Sequence, residues 1–206
     1  VARVYLHSTL INFTQNTTIP IINALSDLEH PCQALADMYT IYNQFKNFEN
    51  LNLVYVGDGN NIASSLALIS ANLGLNFIYS SPKKYQIPST IYNQATNIAA
   101  KHESKMKWVE NPQLAVQEAD IIYTDKWVSM GMEDEEKTRL IDFKNYQVNN
   151  KLISQANKNV FIMHDMPAKE GEEIDHGILD SESSLAYEQA ENRLHSQTAL
   201  LHKLFS

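Results

Sequence analysis

Cysteine, long apolar runs and basic side chains are all scarce in this sequence. Cys32 is the one cysteine among 206 residues, so no disulfide can form within the chain, and a reducing, cytoplasmic location is expected. No apolar run approaches the roughly 20 residues of a membrane-spanning helix, so no membrane partner is expected. Lysine and arginine number 16 against 24 aspartates and glutamates, and the net charge of −8 argues against a nucleic-acid-binding surface.

The composition is otherwise that of a folded protein. Hydrophobic residues make up 44% of the chain, which is enough for a full core, and the length suits one large domain or one and a fraction. The sequence contains neither an internal repeat nor a low-complexity segment. It begins with Val1 rather than Met, and residues 1–6 have the pattern of a strand already under way. We therefore expect the chain to be a piece of a longer protein.

Short apolar runs alternate with helical segments along the chain. Strands are predicted at 1–6, 19–24, 51–56, 75–79, 105–109, 121–124 and 160–163. Helices are predicted at 8–16, 31–45, 62–73, 89–102, 112–118, 134–143, 149–156 and 183–205. Alternation at this spacing is typical of parallel βαβ units, so the sequence predicts an α/β fold with a doubly wound parallel sheet.

The helix predicted at 31–45 begins with two polar side chains of chemical interest. His30 and Gln33 flank Pro31 and lie one turn apart at the N-terminal end of this helix, on roughly the same face. A helix N-terminus is electropositive and offers free N–H groups, so it suits an anionic ligand that bears a carbonyl. The alternative is that both residues are ordinary cap and surface residues. Cys32, between them, is interpreted as a small packing residue.

A glycine-rich turn, Gly57-Asp58-Gly59-Asn60-Asn61, follows the strand at 51–56. Strand, glycine turn and helix open a doubly wound sheet, in which ligands bind beyond the carboxyl ends of the strands. A dinucleotide site is disfavoured, because Ile62 occupies the third glycine position of its fingerprint and the next strand ends in Ser80-Ser81 without an acid. The carboxamides of the turn instead suit the carboxylate or the amine of an amino acid.

Two aspartates end later strands of the predicted sheet. Asp125 follows the strand at 121–124, and Asp165 follows the strand at 160–163. Each alone has the pattern of a capping carboxylate. Together, with a Ser-Met-Gly loop at 129–131 after the first, they favour a site for a cationic amine.

Two arginines are candidates for binding a phosphate, which a guanidinium grips with two parallel hydrogen bonds. Arg3 is the one charged residue of the first predicted strand, and Arg193 lies in the last helix. The alternatives are a structural pair with a carboxylate for Arg3 and a surface helix charge for Arg193.

Five motifs occur in a fixed order: His30-Pro-Cys-Gln33, Gly57-Asp-Gly-Asn-Asn61, Asp125-x-Trp-x-Ser-Met-Gly131, His164-x-Met-Pro167 and Glu191-Asn-Arg193. In this the chain closely resembles the ornithine carbamoyltransferases from Val1 to Ser206. The related enzymes that use aspartate share His-Pro-x-Gln, but they are expected to lack the Ser-Met-Gly loop and to carry Leu-Pro-Arg after the last-strand histidine. Here that position holds Met166-Pro167-Ala168.

The resemblance implies transfer of the carbamoyl group from carbamoyl phosphate to the δ-amine of L-ornithine, giving L-citrulline and phosphate without metal or cofactor. It implies a homotrimer or a higher homo-oligomer. It also implies three parts of the chain: 1–33, the end of a carbamoyl-phosphate-binding α/β domain; 34–182, an ornithine-binding domain with a linking helix at 34–45; and 183–206, a C-terminal helix that packs back on the first domain.

The resemblance also assigns roles residue by residue. Carbamoyl phosphate would bind to Arg3, His30, Gln33 and Arg193. Ornithine would bind to Asn61, Asp125, Ser129, Met130, Asp165 and Met166. The expected catalytic residues are His30, which would donate to the carbamoyl oxygen, together with Arg193 and Asp165.

Two departures from the family pattern qualify these expectations. Asp165-Met166 replaces the Cys-Leu that is usual after His164, so Asp165 either helps to remove a proton from the amine or locks it in its charged form. The family's Ser-x-Arg-Thr-Arg phosphate motif does not occur in these residues. The 206 residues alone are therefore expected to be inactive. Two alternatives stay open: a carbamoyltransferase for acetylornithine, putrescine or aspartate, and a non-catalytic remnant that binds an amino acid or another subunit.

Overall fold

The computed structural model describes residues 1–129 and 131–206. Its strands are β1 (Ala2–Arg3), β2 (Asn23–Leu25), β3 (Asn52–Val56), β4 (Asn76–Ser80), β5 (Met106–Trp108), β6 (Ile121–Thr124) and β7 (Phe161–His164). Its α-helices are α1 (His7–Gln15), α2 (Pro31–Phe45), α3 (Asn61–Leu73), α4 (Ser89–Ala99), α5 (Pro112–Ala115), α6 (Glu136–Asp142), α7 (Asn150–Ile153) and α8 (Ala186–Phe205). The predicted α/β class is confirmed.

The larger sheet has five parallel strands in the order β5-β4-β3-β6-β7. The chain moves outward from β3 to β5 and then returns to place β6 on the other side of β3. Leu53 to Val56 of β3 are fully buried, as apolar runs in the centre of a parallel sheet usually are. The winding direction reverses between β3 and β6, and this reversal opens a crevice at the carboxyl ends of the two strands.

The first two strands form a separate parallel pair, with Ala2 opposite Asn23 and Arg3 opposite Leu25. The predicted strand at 19–24 is wrong in position, since the strand is Asn23–Leu25. Pro20 lacks the N–H group that a ladder needs, so pairing begins after it. The predicted strand at 1–6 likewise shortens to two residues. The pairing still places Arg3 close to the start of α2.

The last helix, α8, packs along α2. The side-chain amide of Asn192 donates to Thr40 Oγ1 at 2.9 Å, and both residues are buried. The helix begins at Ala186 rather than at the predicted residue 183. Residues 183–185 instead pair with the edge strand β7: Ile162 N donates to Ser183 O and Leu185 N donates to Ile162 O, each at 2.8 Å.

Several shorter helices are more divided than the sequence predicts. The segment predicted as one helix at 112–118 is α5 followed by a 3₁₀ turn at 116–118, and the segment at 134–143 is a 3₁₀ turn at 133–135 followed by α6. The segment at 149–156 contains only the four residues of α7. Within the described residues, no helix is both long enough and apolar enough to cross a bilayer.

Candidate active site

A cavity of about 870 Å³ lies between the start of α2, the helix α8 and the carboxyl ends of β3, β6 and β7. Nine of the ten sequence-predicted site residues line it: Arg3, His30, Gln33, Asn61, Asp125, Ser129, Asp165, Met166 and Arg193. The tenth, Met130, lies outside the described residues. A second cavity of about 640 Å³, between residues 110 and 152, contains none of them. The fold therefore brings together side chains that are scattered over the whole chain.

His30 is the residue that precedes the first turn of α2, where Pro31 occupies the first helical position. Its backbone N–H donates to Ser65 Oγ at 2.8 Å, and its side chain is buried. Burial, followed by the positive charges of Arg193 and Arg3, lowers the pKa of His30 to about 4. The imidazole is therefore neutral at physiological pH and carries one N–H group. Its Nδ1 is buried and has no partner among the described residues.

Gln33 and Arg193 meet across the seam between α2 and α8. Arg193 donates through Nη1 to Gln33 Oε1, while Gln33 Nε2 donates to Asp37 Oδ1 at 2.8 Å. The Nε atom of Arg193 is buried and lacks a partner among the described residues. We call Arg3, His30, Gln33 and Arg193 the donor cluster, because all four carry N–H groups and line the cavity.

The turn after β3 is built by the asparagines that follow Gly59. Asn60 caps α3, accepting hydrogen bonds from Ile62 N at 3.0 Å and Ala63 N at 3.1 Å. Its amide group donates to Asp125 Oδ2 at 2.7 Å. Asn61 lines the cavity and donates to Ser26 O at 2.7 Å. Asn60 therefore orients Asp125, a role that the sequence does not reveal.

Gly59 has a packing role in the same turn. A Cβ at this position would lie 2.2 Å from the backbone nitrogen of Ile87, so no other residue fits without moving that segment. Gly59 N also donates to Tyr85 O at 2.9 Å. The close approach is to the protein's own backbone, which agrees with the sequence argument against a pyrophosphate site.

Asp165 lies beside Asp125 in the lining of the cavity. Its side chain is 13% exposed, and its Oδ1 is buried without a partner among the described residues. Burial, followed by the charge of Asp125 and a hydrogen bond with it, raises the pKa of Asp165 well above its ordinary value. This shift favours the protonated form of Asp165, in which its hydroxyl can donate to Asp125.

The Nδ1 atom of His164 lies 3.6 Å from Asp165 Oδ1, but the two side chains do not form an ion pair. The Nδ1 atom of His164 accepts the backbone N–H of Met166 at 2.9 Å, so this nitrogen carries no proton. The other nitrogen, Nε2, donates to Glu173 Oε1 at 3.1 Å, and both side chains are fully buried. This pair fixes the imidazole and, through Met166 N, the backbone that follows Asp165.

Asp58 is the strand-end group that the structure places elsewhere. The sequence groups it with Asn60 and Asn61, but its carboxylate accepts from Arg139 Nη1 at 2.7 Å and does not line the cavity. Arg139 also donates to Trp127 O at 3.0 Å and to Glu135 Oε2 at 3.0 Å. The buried ion pair therefore anchors the segment after β6, which carries Ser129. No sequence signal links Asp58 to a partner 81 residues away.

The site also contains residues that the sequence analysis missed. Lys126 and Tyr5 line the cavity, and Asp37, which does not line it, accepts a hydrogen bond from Gln33 Nε2. Lys126 directly follows Asp125, so its position beside the site was available as a signal. The described residues contain no cluster of three or more His, Cys, Asp or Glu side chains arranged to hold a metal ion.

The lining of the cavity carries both basic and acidic groups. The donor cluster offers two guanidinium groups, a neutral imidazole and a carboxamide, which suit a phosphate and an adjacent carbonyl oxygen. Asp125, Asp165 and Asn61 offer two carboxyl groups and a carboxamide, which suit an amine-bearing amino acid. The arrangement can hold an anionic donor and a cationic acceptor side by side.

Comparison with known protein families gives two matches that cover nearly the whole chain. Residues 49–204 match the Asp/Orn-binding domain of aspartate/ornithine carbamoyltransferase, and residues 1–43 match the carbamoyl-P-binding domain of the same family. The resemblance found in the sequence is thereby confirmed.

Individual relatives agree with the family match. Proteins named ornithine carbamoyltransferase from Archaeoglobus fulgidus and Listeria monocytogenes are 44% and 46% identical to this chain over 98% and 97% of its length. The solved structure of ornithine carbamoyltransferase from Pyrococcus furiosus has a TM-score of 0.94 and 41% identity, over 97% of this chain and 64% of that one. The chain spans 64% and 63% of the lengths of the Archaeoglobus and Listeria proteins.

Proposed function

The chain belongs to the aspartate/ornithine carbamoyltransferase family, and from that premise we propose that it supplies most of the active site of an ornithine carbamoyltransferase. The proposed reaction moves the carbamoyl group of carbamoyl phosphate to the δ-amine of L-ornithine and yields L-citrulline and phosphate. The observation that carries the proposal is the single cavity in which the donor cluster faces Asp125 and Asp165.

The donor cluster would bind carbamoyl phosphate. Arg3 and Arg193 supply positive charge for the phosphate, and Gln33 presents its carboxamide to the carbamoyl amino group. Because the pKa of His30 is lowered to about 4, it would donate to the carbonyl oxygen as a neutral imidazole, through its single N–H group. As the amine attacks, negative charge grows on that oxygen, and the donation from His30 strengthens.

The acceptor would bind next to the carbamoyl phosphate, against Asp125 and Asp165. Asn61, Asp125, Ser129 and Met130 are the proposed contacts for the α-amino and carboxylate groups of ornithine, and Asp165 and Met166 those for its δ-amine. During transfer the δ-nitrogen lone pair forms the new C–N bond. The bond between the carbonyl carbon and the phosphate oxygen breaks, and phosphate leaves with its electron pair. The amine attacks in its neutral form, and the proton that the nitrogen then loses is taken up by the departing phosphate.

The protonation of Asp165 bears on this last step. A charged carboxylate beside the δ-amine would stabilise the ammonium form, which has no lone pair. The raised pKa of Asp165 favours its neutral carboxyl form, which lessens this obstacle. We propose that Asp165 acts as a hydrogen-bond partner that orients the amine, and that Asp125 supplies the one negative charge at this end.

The organisation of the whole protein is proposed on the same basis. Residues 1–33 belong to the carbamoyl-phosphate domain, residues 34–182 form the acceptor domain with its linking helix, and residues 183–206 pack back on the first domain. We propose a cytoplasmic homotrimer or higher homo-oligomer. Light scattering coupled to size-exclusion chromatography of the full-length protein tests the assembly: a monomer at micromolar concentration contradicts it.

A direct assay tests the function. The full-length protein is incubated with carbamoyl phosphate and, in parallel, with ornithine, acetylornithine, putrescine or aspartate, and the carbamoylated product is measured. We expect citrulline from ornithine and little product from the other three. Product from one of the others alone would move the protein to a related transferase. No product from any, with the amino acid still bound, would support the non-catalytic alternative.

A variant pair ties the assay to the site. His30→Ala removes the proposed donor to the carbonyl oxygen, and kcat is expected to fall by about 10²–10³. Cys32→Ala changes a buried neighbour that does not line the cavity, and it is expected to retain activity. The 206 residues alone are expected to form little citrulline. Within the described residues, the phosphate end of the cavity has only Arg3 and Arg193 as arginines.

A further inference from the structure

Asp37 is a buried acid that the proposed chemistry does not use. It lies one turn after Gln33 in α2, is fully buried and does not line the cavity. Three side chains donate to it. Gln33 Nε2 and Gln189 Nε2 reach Oδ1 at 2.8 and 2.7 Å, and the Tyr123 hydroxyl reaches Oδ2 at 3.1 Å.

The carboxyl group decides which way the Gln33 amide faces. A carboxylate accepts hydrogen bonds and donates none, so it must meet the NH₂ end of each glutamine. The Gln33 oxygen is thereby turned away from Asp37, and it accepts from Arg193 at the donor cluster. The reverse orientation of Gln33 would place two acceptors against each other in a buried site, which is costly.

The same carboxyl group is also connected to the strand ends that carry Asp125 and Asp165. Gln189 of α8 donates to Asp37 and accepts, through Oε1, the backbone N–H of His164 at 3.0 Å. His164 is the last residue of β7 and directly precedes Asp165. Tyr123 lies two residues before Asp125 in β6 and also accepts from Gln189 Nε2 at 3.0 Å. One buried group thus connects α2, α8, β6 and β7.

We propose that Asp37 is a positioning residue, which fixes the Gln33 carboxamide for carbamoyl binding and ties the donor cluster to the strand ends that carry Asp125 and Asp165. The expected effect on carbamoyl phosphate binding rests on the proposed function. The expected effect on the orientation of Gln33 rests on the hydrogen bonds alone. Asp37 does not touch the proposed substrates.

The protonation state of Asp37 leaves this arrangement intact. Burial raises the pKa of Asp37 to about 7, against the opposing effects of its donors and of Arg193. The titratable side chains that act on it or feel its charge are Tyr123, Arg193 and Asp165. A proton on Oδ2 reverses only the bond with Tyr123, and Oδ1 still accepts both glutamines.

Because Oδ1 accepts both glutamines whether or not Asp37 is protonated, variants of the full-length protein can separate the effect of orientation from that of charge. In Asp37→Asn, the amide oxygen can accept both glutamines while the NH₂ group donates to Tyr123, so the orientation of Gln33 is preserved. Asp37→Leu has a similar volume and no acceptor. The matched control is Thr40→Val, one turn along the same seam, which removes the acceptor of Asn192 and leaves Gln33 untouched.

The kinetic test is the KM for carbamoyl phosphate. We expect about a tenfold rise in Asp37→Leu, the size of one lost oriented hydrogen bond. Values within about twofold of the parent are expected for Asp37→Asn and Thr40→Val, since neither loses that bond. An equal rise in this KM in Asp37→Asn and Asp37→Leu would show that the charge of Asp37 matters rather than the orientation of Gln33. An equal rise in this KM in Asp37→Leu and Thr40→Val would show that Asp37 only stabilises the packing of α2 against α8. Either result overturns the proposal.

The side-chain amide resonance of Gln33 gives a second readout that needs no activity. After assignment by loss of the signal in Gln33→Glu, the ¹⁵N–¹H₂ pair is expected to shift strongly in Asp37→Leu and little in Asp37→Asn. An unchanged pair in Asp37→Leu refutes the positioning role. If Asp37→Leu does not fold, Asp37→Ser takes its place in both tests. A protein that makes no citrulline but shows the expected shift contradicts only the proposed function.

Discussion

Replacing Asp165 by asparagine should change how the stability of the protein depends on pH. Asparagine has nearly the same shape as a protonated aspartate, and it cannot ionise. In the folded protein, burial and the neighbouring charge of Asp125 hold the pKa of Asp165 well above its ordinary value. In the unfolded chain that carboxyl ionises near its reference pKa of about 3.9.

The sign and size of the effect follow from this difference. Between the two pKa values the folded state keeps the Asp165 proton and the unfolded state has lost it, so unfolding releases a proton and stability falls as pH rises. Within that window the slope is about 1.4 kcal/mol per pH unit for the one proton. Asp165→Asn lacks this contribution and should gain that much per pH unit relative to the parent over the same window.

Urea unfolding measures the difference. The free energy of unfolding of parent and variant is determined at several pH values from the fluorescence of Trp108 and Trp127, of which Trp127 is buried in the core. His30 titrates in both proteins, so its contribution cancels in the comparison. Asp37 interacts with Asp165, so the comparison is made well below its pKa of about 7, where Asp37 is protonated in both proteins. Glu182→Gln, at an exposed acid, is the control and should show a difference that does not vary with pH. A constant difference between parent and Asp165→Asn would show that Asp165 is ionised in the folded protein.

Three further predictions concern single contacts around the cavity. Arg139→Met leaves Asp58 buried without its partner and should lower the free energy of unfolding by about 3–5 kcal/mol in a urea titration, whereas an effect below about 1 kcal/mol would contradict the buried ion pair. His30 should remain neutral in an NMR titration down to about pH 5, because its pKa is lowered to about 4. The stability this contributes is present above the unfolded pKa of about 6.5 and is lost as pH falls towards 4, so a midpoint near 6.5 would refute the burial argument. Asn60→Ala should cost about 1 kcal/mol as a lost cap and should also raise the KM for the acceptor, since Asp125 loses its hydrogen bond, and an unchanged KM would argue against that second role.

The sheet could be predicted from the sequence because its central strands are buried on both faces. Such strands are short apolar runs, and β3 and β6 are recognisable as such without any knowledge of their neighbours. The element ends were less predictable. Residues 183–185 have helical character in the sequence, yet their backbone pairs with β7, and that partner is only identified by the fold.

The candidate site likewise contains residues that could be predicted from the sequence and residues that could not. His30, Asn61 and Asp125 follow recognisable motifs, and the general rule for open α/β sheets places them at one crevice. The groups that orient them were not predicted, because their partners are distant in sequence: Asp37 is 152 residues from Gln189 and 86 from Tyr123. Asp165 is intermediate. Its position followed from the sequence, but its protonation depends on burial and on Asp125.

The position of α8 in the chain has a consequence for biosynthesis. A ribosome makes α8 after every other described element, at about 5–20 residues per second, so the sheet can form before Gln189 and Arg193 exist. Until that helix docks on α2, Asp37 lacks one of its donors and Gln33 lacks its arginine. A polypeptide whose translation stops before α8 would therefore lack Arg193 in the lining of the cavity and Gln189 behind it.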